Sequence, residues 1–374
     1  MKTLYDETTI NGMVLKNRLV RSATWEGMAD SDGRSTIKLA EYAAGLAWGG
    51  VGLIITGYAF ITPDGKQLPG QLGVCSDDLC RDLWLLAEAV HRQGGKICLQ
   101  LVHCGGQTSS ISAGRQPLAP SAVKVDQYPE TPEELTEEGI KGLIAAFGHG
   151  ARRAKECGFD AVQLHAAHGY LVNQFLSPLT NRRTDGWGGD IQGRSRFLLE
   201  SYRSVRRAVG ADFPVLVKLN GSDNLAGGLT VEDATCAAQA LADEGVDAME
   251  ISSGTPASGG ETPVRQHIDT PEREGYNLSL AGKIKQAVAC PVMVVGGIRS
   301  FDVAVGIIQR GEADYIAMAR PLIREPDLPL RWQRGDESPA RCISCNGCFK
   351  PGLTQGGIKC VIETIEREAR YVSL

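Results

Sequence analysis

Three groups of residues have types and spacings that could do chemistry. Gly296-Gly297 and Ala319-Arg320 each directly follow an apolar run. Paired glycines present backbone N–H groups, and one arginine adds a cation, which is how barrel enzymes grip a phosphate. A phosphate-bearing cofactor or substrate is the expectation. His165 and His168 could ligate a metal at i, i+3, but no acidic residue lies in that stretch to complete a usual ligand set. Their plainer reading is a pair of satisfied core or loop residues. Cys342-Ile343-Ser344-Cys345-Asn346-Gly347-Cys348, with Cys360 beyond, reads C-x2-C-x2-C-x11-C. Four soft thiolates suit a 4Fe–4S cluster or a structural zinc; thiols that hold nothing are the third reading.

A repeated phrase supplies the elements that must carry these residues. Four times a helical pattern ends in Gly and an apolar run follows: Gly49 to Ile55, Gly158 to Leu164, Gly245 to Ile251 and Gly311 to Met318. The glycine is a helix stop, where positive φ carries no Cβ penalty. Between the copies lie Lys96–Leu101, Val215–Leu219 and Val292–Val295, and Arg18–Ser22 stands in front. That makes eight strands whose continuous apolar character is that of parallel strands covered on both faces. Apolar spacings of three and four predict helices over Asp77–Gln93, Thr136–Cys157, Gly193–Val209, Thr230–Glu244, Ser279–Val288 and Phe301–Arg310. The fold class is α/β, a TIM (β/α)8 barrel, with a doubly wound sheet as the alternative. Two stretches, Gly105–Leu135 after strand three and Ser252–Leu278 after strand six, are too long for mere connections and are expected to form walls and a lid. Collecting the residues at the strand ends gives Ala23-Thr24, Tyr58, Gln100, His103, His165, His168, Lys218, Gly296-Gly297 and Ala319-Arg320, which topology brings to one rim. The barrel is expected over 1–335 and a C-terminal Cys-rich extension packed on it over 336–374.

Composition narrows the function classes. The chain has 374 residues, 43% hydrophobic and 22% charged, enough apolar content for a packed core. A net charge of −5 without a long basic run argues against nucleic-acid binding. No apolar stretch is long enough for a membrane span, and Met1 to Asn11 lacks a signal-peptide core, so a cytoplasmic location is the default expectation. Seven of the eleven cysteines are scattered (Cys75, Cys80, Cys98, Cys104, Cys157, Cys236 and Cys290) and are expected to be small buried hydrophobes.

At this point the sequence resembles the old yellow enzyme family of FMN-dependent ene-reductases, from about Leu15 to Arg324. The resemblance rests on His165-Ala166-Ala167-His168-Gly169-Tyr170-Leu171, continuing through Phe175 to Asp185, together with Leu15-Lys16-Asn17-Arg18 and Met318-Ala319-Arg320-Pro321. It implies a catalytic set of His165, His168 and Tyr170. The histidines would bond the carbonyl oxygen of an α,β-unsaturated substrate, as donors in an oxyanion hole do. Tyr170 would protonate the α-carbon, being protonated at neutral pH. NADH or NADPH would be the reductant. The resemblance also assigns FMN contacts: Ala23 and Tyr58 through backbone groups, Thr24 at the isoalloxazine carbonyl, Gln100 at the pyrimidine edge, and Gly296, Gly297, Ala319 and Arg320 at the phosphate. Lys218 stands where many relatives carry Arg; it keeps the charge and loses the planar fork. Trp25 departs from expectation by its bulk, either shaping the substrate pocket or merely packing.

The cysteine spacing is similar to that of larger relatives, the dienoyl-CoA reductases and trimethylamine dehydrogenase, which implies Cys342, Cys345, Cys348 and Cys360 as ligands of an iron–sulfur cluster. Those proteins continue for hundreds of residues into a second nucleotide-binding region. Since this sequence ends at Leu374, the expectation is a cluster without an internal electron donor. The leading expectation is therefore an NAD(P)H-dependent ene-reductase with a small enone or enal substrate. The alternative is a flavin/iron–sulfur dehydrogenase module, acting on an amine or enoyl-thioester, that needs a separate electron-transfer partner. A homo-oligomer is compatible with either. A non-enzymatic flavin- or metal-binding subunit is the third reading, and an intact Tyr170 with both histidines argues against it.

Overall fold

Eight parallel strands close on themselves in a computed structural model that describes residues 2–372. They are β1 (Leu19–Arg21), β2 (Leu53–Ile55), β3 (Ile97–Val102), β4 (Ala161–Ala166), β5 (Val215–Asn220), β6 (Ala248–Ser252), β7 (Val292–Val295) and β8 (Tyr315–Met318). Each pairs with the next, and β8 returns to β1, so the sheet is a closed TIM barrel. Met1 and residues 373–374, the ends of the two expected segments, lie outside the described residues.

Register gives the interior its polarity. Cys98, Ala161, Leu216, Ala248, Met293 and Tyr315 form one buried cluster with Ile10, Met13 and Leu15. Those last three come from an N-terminal hairpin, Thr8–Ile10 paired with Met13–Leu15, that plugs the floor of the barrel. Two residues further along the strands, side chains on the same face are Gln100, Gln163, Lys218 and Glu250. Pairing puts Gln100 beside Gln163, His165 beside Lys218, and Lys218 beside Glu250. An apolar floor and a polar top follow from period-2 alternation alone.

Among the described residues one longer helix stands between each strand and the next: α1 (Ile37–Trp48), α2 (Cys80–His91), α3 (Glu137–Glu156), α4 (Ile191–Val209), α5 (Val231–Asp243), α6 (Leu278–Ala287) and α7 (Phe301–Gln309), with short helices at Ser110–Ala113 and Leu171–Leu176 besides. Thr36, Thr136, Asp190 and Thr230 cap four of them by accepting from a backbone N–H three residues on. Their apolar faces and the outer faces of the strands make the larger core. Short helices at Arg320–Arg324 and Leu328–Gln333 follow β8, and Phe349–Thr354 and Val361–Val372 follow those. The sequence reading did not bound α1 or anticipate the floor hairpin. Of the scattered cysteines, Cys98, Cys104 and Cys157 are buried, but Cys236 is exposed and corrects the expectation for that residue. No described helix is long and apolar enough to cross a membrane.

Candidate active site

A cavity of about 420 Å³ opens at the C-terminal ends of the strands. Ala23, Thr24 and Trp25 line it after β1, Tyr58 after β2, His165, His168 and Tyr170 from β4, Lys218 from β5, and Ala319 after β8. Gln107, from the long segment after β3, and Pro256, Thr262, Pro263 and Val264, from that after β6, complete its walls. The two long segments are walls here, as their length suggested. His103 does not join them: its ring accepts from the Gly105 N–H at 3.0 Å and faces Asp64 at 3.5 Å.

Lys218 is a buried cation with a buried partner. Its Nζ donates to Glu250 Oε1 at 2.9 Å and to Ser22 Oγ at 2.8 Å, and the two charged side chains are 3% and 0% exposed. Ser22 Oγ in turn donates to Glu250, and Gln163 Nε2 donates to Glu250 Oε2 at 3.0 Å. Stripping water from two such ions costs several kcal/mol each, so full hydrogen bonding is needed to hold them. Glu250 was missed in the sequence reading, although a carboxylate inside the run Ala248-Met249-Glu250-Ile251 was itself a signal. Arg21 and Glu26 form a second buried pair at 2.9 Å, and Arg21 Nη2 also donates to the Thr24 carbonyl at 3.0 Å.

The histidines and tyrosine form one aromatic group. Ring centroids lie 5.1 Å apart for His165 and His168, 4.8 Å for His165 and Tyr170, and 5.2 Å for Tyr58 and Tyr170. His165 Nδ1 accepts from the Ala167 N–H at 3.3 Å, which leaves the ring proton on Nε2 as a donor. His168 takes φ +62 and sets its Nε2 2.7 Å from Ser252 Oγ. Burial holds both imidazoles well below the usual pKa of 6.5. The neighbouring Lys218 pushes His165 further the same way; for His168, His165 and then Lys218 do so. Both are neutral at neutral pH. Burial raises the Tyr170 phenol, keeping it protonated. Tyr170 and Tyr58 both donate to Gln67 Oε1, at 3.0 and 3.1 Å. Gln67 is a second residue that sequence reasoning missed; it lies in the β2–α2 segment, where no spacing marks it.

Trp25 both faces the cavity and packs. It lines the cavity, and it packs against the Gly352 backbone while its Nε1 donates to the Pro69 carbonyl at 3.1 Å. Gln100 lies beneath the cavity, fully buried. Its Nε2 donates to Gln163 at 2.7 Å, while its Oε1 has no partner.

One end of the cavity narrows to a further pocket of about 50 Å³, lined by Thr24, Gly297, Ala319, Arg320, Cys342, Ser344 and Phe349, among others. Gly297 has φ +71, and a Cβ there would stand 3.0 Å from Ile268 and Tyr276. Gly296 lies behind it, its carbonyl accepting from the Tyr276 N–H at 3.2 Å. Arg320 completes the pocket.

Cys342, Cys345, Cys348 and Cys360 all border a single cavity of about 20 Å³ on the other side of Arg320. They are brought together, yet among the described residues no three His, Cys, Asp or Glu side chains stand as a group that could hold a metal ion. The iron–sulfur or zinc centre that the spacing suggested is therefore not shown at these thiols. The same holds for metal ligation by His165 and His168.

The NADH:flavin oxidoreductase / NADH oxidase family model matches residues 3–338. An NADH oxidase of Thermoanaerobacter brockii is 38% identical over 98% of this chain and 57% of its own length. An NADPH dehydrogenase of Clostridium acetobutylicum is 36% identical over 87% of this chain and 93% of its own. Among solved structures, a 2-naphthoyl-CoA reductase complex superposes with a TM-score of 0.88 at 30% identity, over 96% of this chain and 56% of that one. The old yellow enzyme homologue of Zymomonas mobilis gives 0.79 at 28%, over 94% and 99%. The chain thus spans about half the length of the first two curated relatives it matches.

Proposed function

Because this chain belongs to the NADH:flavin oxidoreductase / NADH oxidase family, the old yellow enzymes, we propose that it binds FMN and reduces the C=C bond of α,β-unsaturated carbonyl compounds with NADH or NADPH. One observation carries the reading. Two neutral imidazoles and a protonated phenol share a cavity that ends in a glycine- and arginine-lined pocket. The residues present fit FMN. Gln100 offers an orphaned buried acceptor to a ring N–H. Thr24 borders both the wide and the narrow cavity. Gly297 and Arg320 both line the narrow pocket, and a glycine backbone with one guanidinium suits a phosphate.

When bound, FMN supplies hydride uptake from the nicotinamide and hydride delivery to the alkene. The protein does the rest. His165 and His168 hold the substrate carbonyl oxygen and stabilise charge that collects there; neutral donors in a dry site are worth more than in water. Tyr170 Oη gives its proton to the α-carbon. Gln67 fixes that hydroxyl, and Lys218, held by Glu250, would supply a positive charge to a flavin bound in the cavity it lines. Trp25 and the segments after β3 and β6 set which substrates enter.

The test is an absorption spectrum of purified protein followed by separate half-reactions. We expect a yellow protein with one FMN per chain that oxidises NADH or NADPH and then passes electrons to an enone. Tyr170→Phe should slow reoxidation by the enone about 100-fold or more, the usual scale of general acid catalysis, with little effect on reduction by nicotinamide. Protein that binds no FMN when reconstituted sinks the reading; equal slowing of both halves removes Tyr170 from the acid role.

A further inference from the structure

Arg320, the cation of the narrow pocket, is fastened by the Cys-rich segment and by the wall segment after β6. Its Nη1 donates to Asn346 Oδ1 at 2.7 Å, to the Arg265 carbonyl at 2.7 Å and, more weakly, to the Ser344 carbonyl at 3.4 Å. Nε and Nη2 make no hydrogen bond among the described residues, and the side chain is 7% exposed. One arm of the guanidinium is therefore tied, and the other is left for an anion in the pocket that the residue lines. Asn346 is the hinge of this arrangement. Its Nδ2 donates to the Val264 carbonyl at 2.8 Å, so one amide joins Arg320 to the wall segment after β6. Gln266 Nε2 adds a bond to the Cys345 carbonyl at 3.2 Å. Asn346 itself sits at φ +59 and Ser344 at φ +55, left-handed conformations that asparagine tolerates better than most residues.

We propose that Asn346, within the Cys-rich segment, is a positioning residue for the phosphate of FMN, acting through Arg320. The inference rests on the flavin reading above and goes beyond it. It assigns to a residue between Cys345 and Cys348 a role that needs no metal. Without the amide, Nη1 loses its shortest side-chain acceptor and the guanidinium is free to rotate. An arginine that must be ordered on binding holds its anion less tightly than one already fixed.

The probe pair is FMN and riboflavin, which differ only in the phosphate. Dissociation constants on apoprotein are read from flavin fluorescence for the wild type, Asn346→Ala and Asn346→Asp. For Asn346→Ala we expect about tenfold weaker FMN binding, the scale of one hydrogen bond to a charged group, and unchanged riboflavin binding. Asn346→Asp keeps an acceptor for Arg320 but adds a negative charge beside the phosphate, so FMN should weaken by more than in the alanine variant while riboflavin again holds. Equal weakening for both flavins would mean that Asn346 only supports the wall, and unchanged FMN binding would mean that Arg320 needs no such tie; either overturns the proposal. Wild-type protein that binds riboflavin as tightly as FMN would overturn the phosphate role of Arg320 first, and binding of neither flavin would overturn the functional reading itself.

Discussion

Neutral imidazoles beside a buried ammonium make this site sensitive to acid. His165 and His168 titrate well below 6.5 in the folded chain, by burial and by Lys218, but near 6.5 once unfolded. Between those limits the unfolded chain binds more protons, so stability rises with pH and is lost as pH falls through about 6.5. Each histidine should cost about 1 kcal/mol between about pH 7 and about pH 5.5, as an upper scale. Urea melts of wild type and of a His165→Asn, His168→Asn double variant check this: the variant should lose less stability on acidification. Identical slopes would mean that the imidazoles take up protons without leaving the fold. At this scale the sequence was legible where chemistry sits at a strand end, as for His165, Lys218 and Arg320. It was opaque where a side chain reaches across the fold. Nothing near Gln67 announces that it meets Tyr170, 103 positions away.

Elements were read through their punctuation. Gly158, Gly245 and Gly311 take the positive φ expected at a helix end, whereas at the first copy it is Gly50 and not Gly49 that does so; the strands that follow are those of the barrel. The segments between β3 and α3 and between β6 and α6 carried no such periodicity, since their shape is set by the walls they make rather than by a repeating face. Tyr276, from the second segment, is one side chain that the β7 turn must accommodate, and Gly297 is the residue that makes room. Gly297→Ala would force a positive φ on a residue with a Cβ and press that Cβ to 3.0 Å from Ile268 and Tyr276. The left-handed conformation alone costs roughly 1–2 kcal/mol. We expect a urea-melt loss of about 1–3 kcal/mol on this basis, together with reduced FMN occupancy after purification. A variant that keeps both stability and flavin would show that the turn relaxes and that the glycine is not needed for the pocket.

For the whole molecule, the decisive contact is the one between barrel and extension. The sequence suggested an extension packed on the barrel, but its spacing does not say which barrel residues it would touch. The structure gives those contacts. Phe349 lines both the wide and the narrow cavity, and Cys342 and Ser344 line the narrow one. The Ile358 N–H donates to the Glu26 carbonyl at 2.8 Å, Arg324 donates to the Glu366 carboxylate at 2.7 and 2.9 Å, and Gly352 sits so close to Trp25 that a Cβ would meet the indole at 2.6 Å. No local pattern in the sequence could place residues 342–358 against residues 24–28, since that contact exists only once the barrel has closed. A chain ending at Gly335 keeps the eight barrel strands and α1 to α7. Barrel folding, read by circular dichroism and a cooperative melt, should therefore survive truncation. Flavin occupancy should not: with Phe349 and Asn346 gone, the pocket loses a wall and Arg320 its tie, and most of the FMN should be lost on gel filtration. Full retention of FMN by the truncated chain would restore the extension to an appendage.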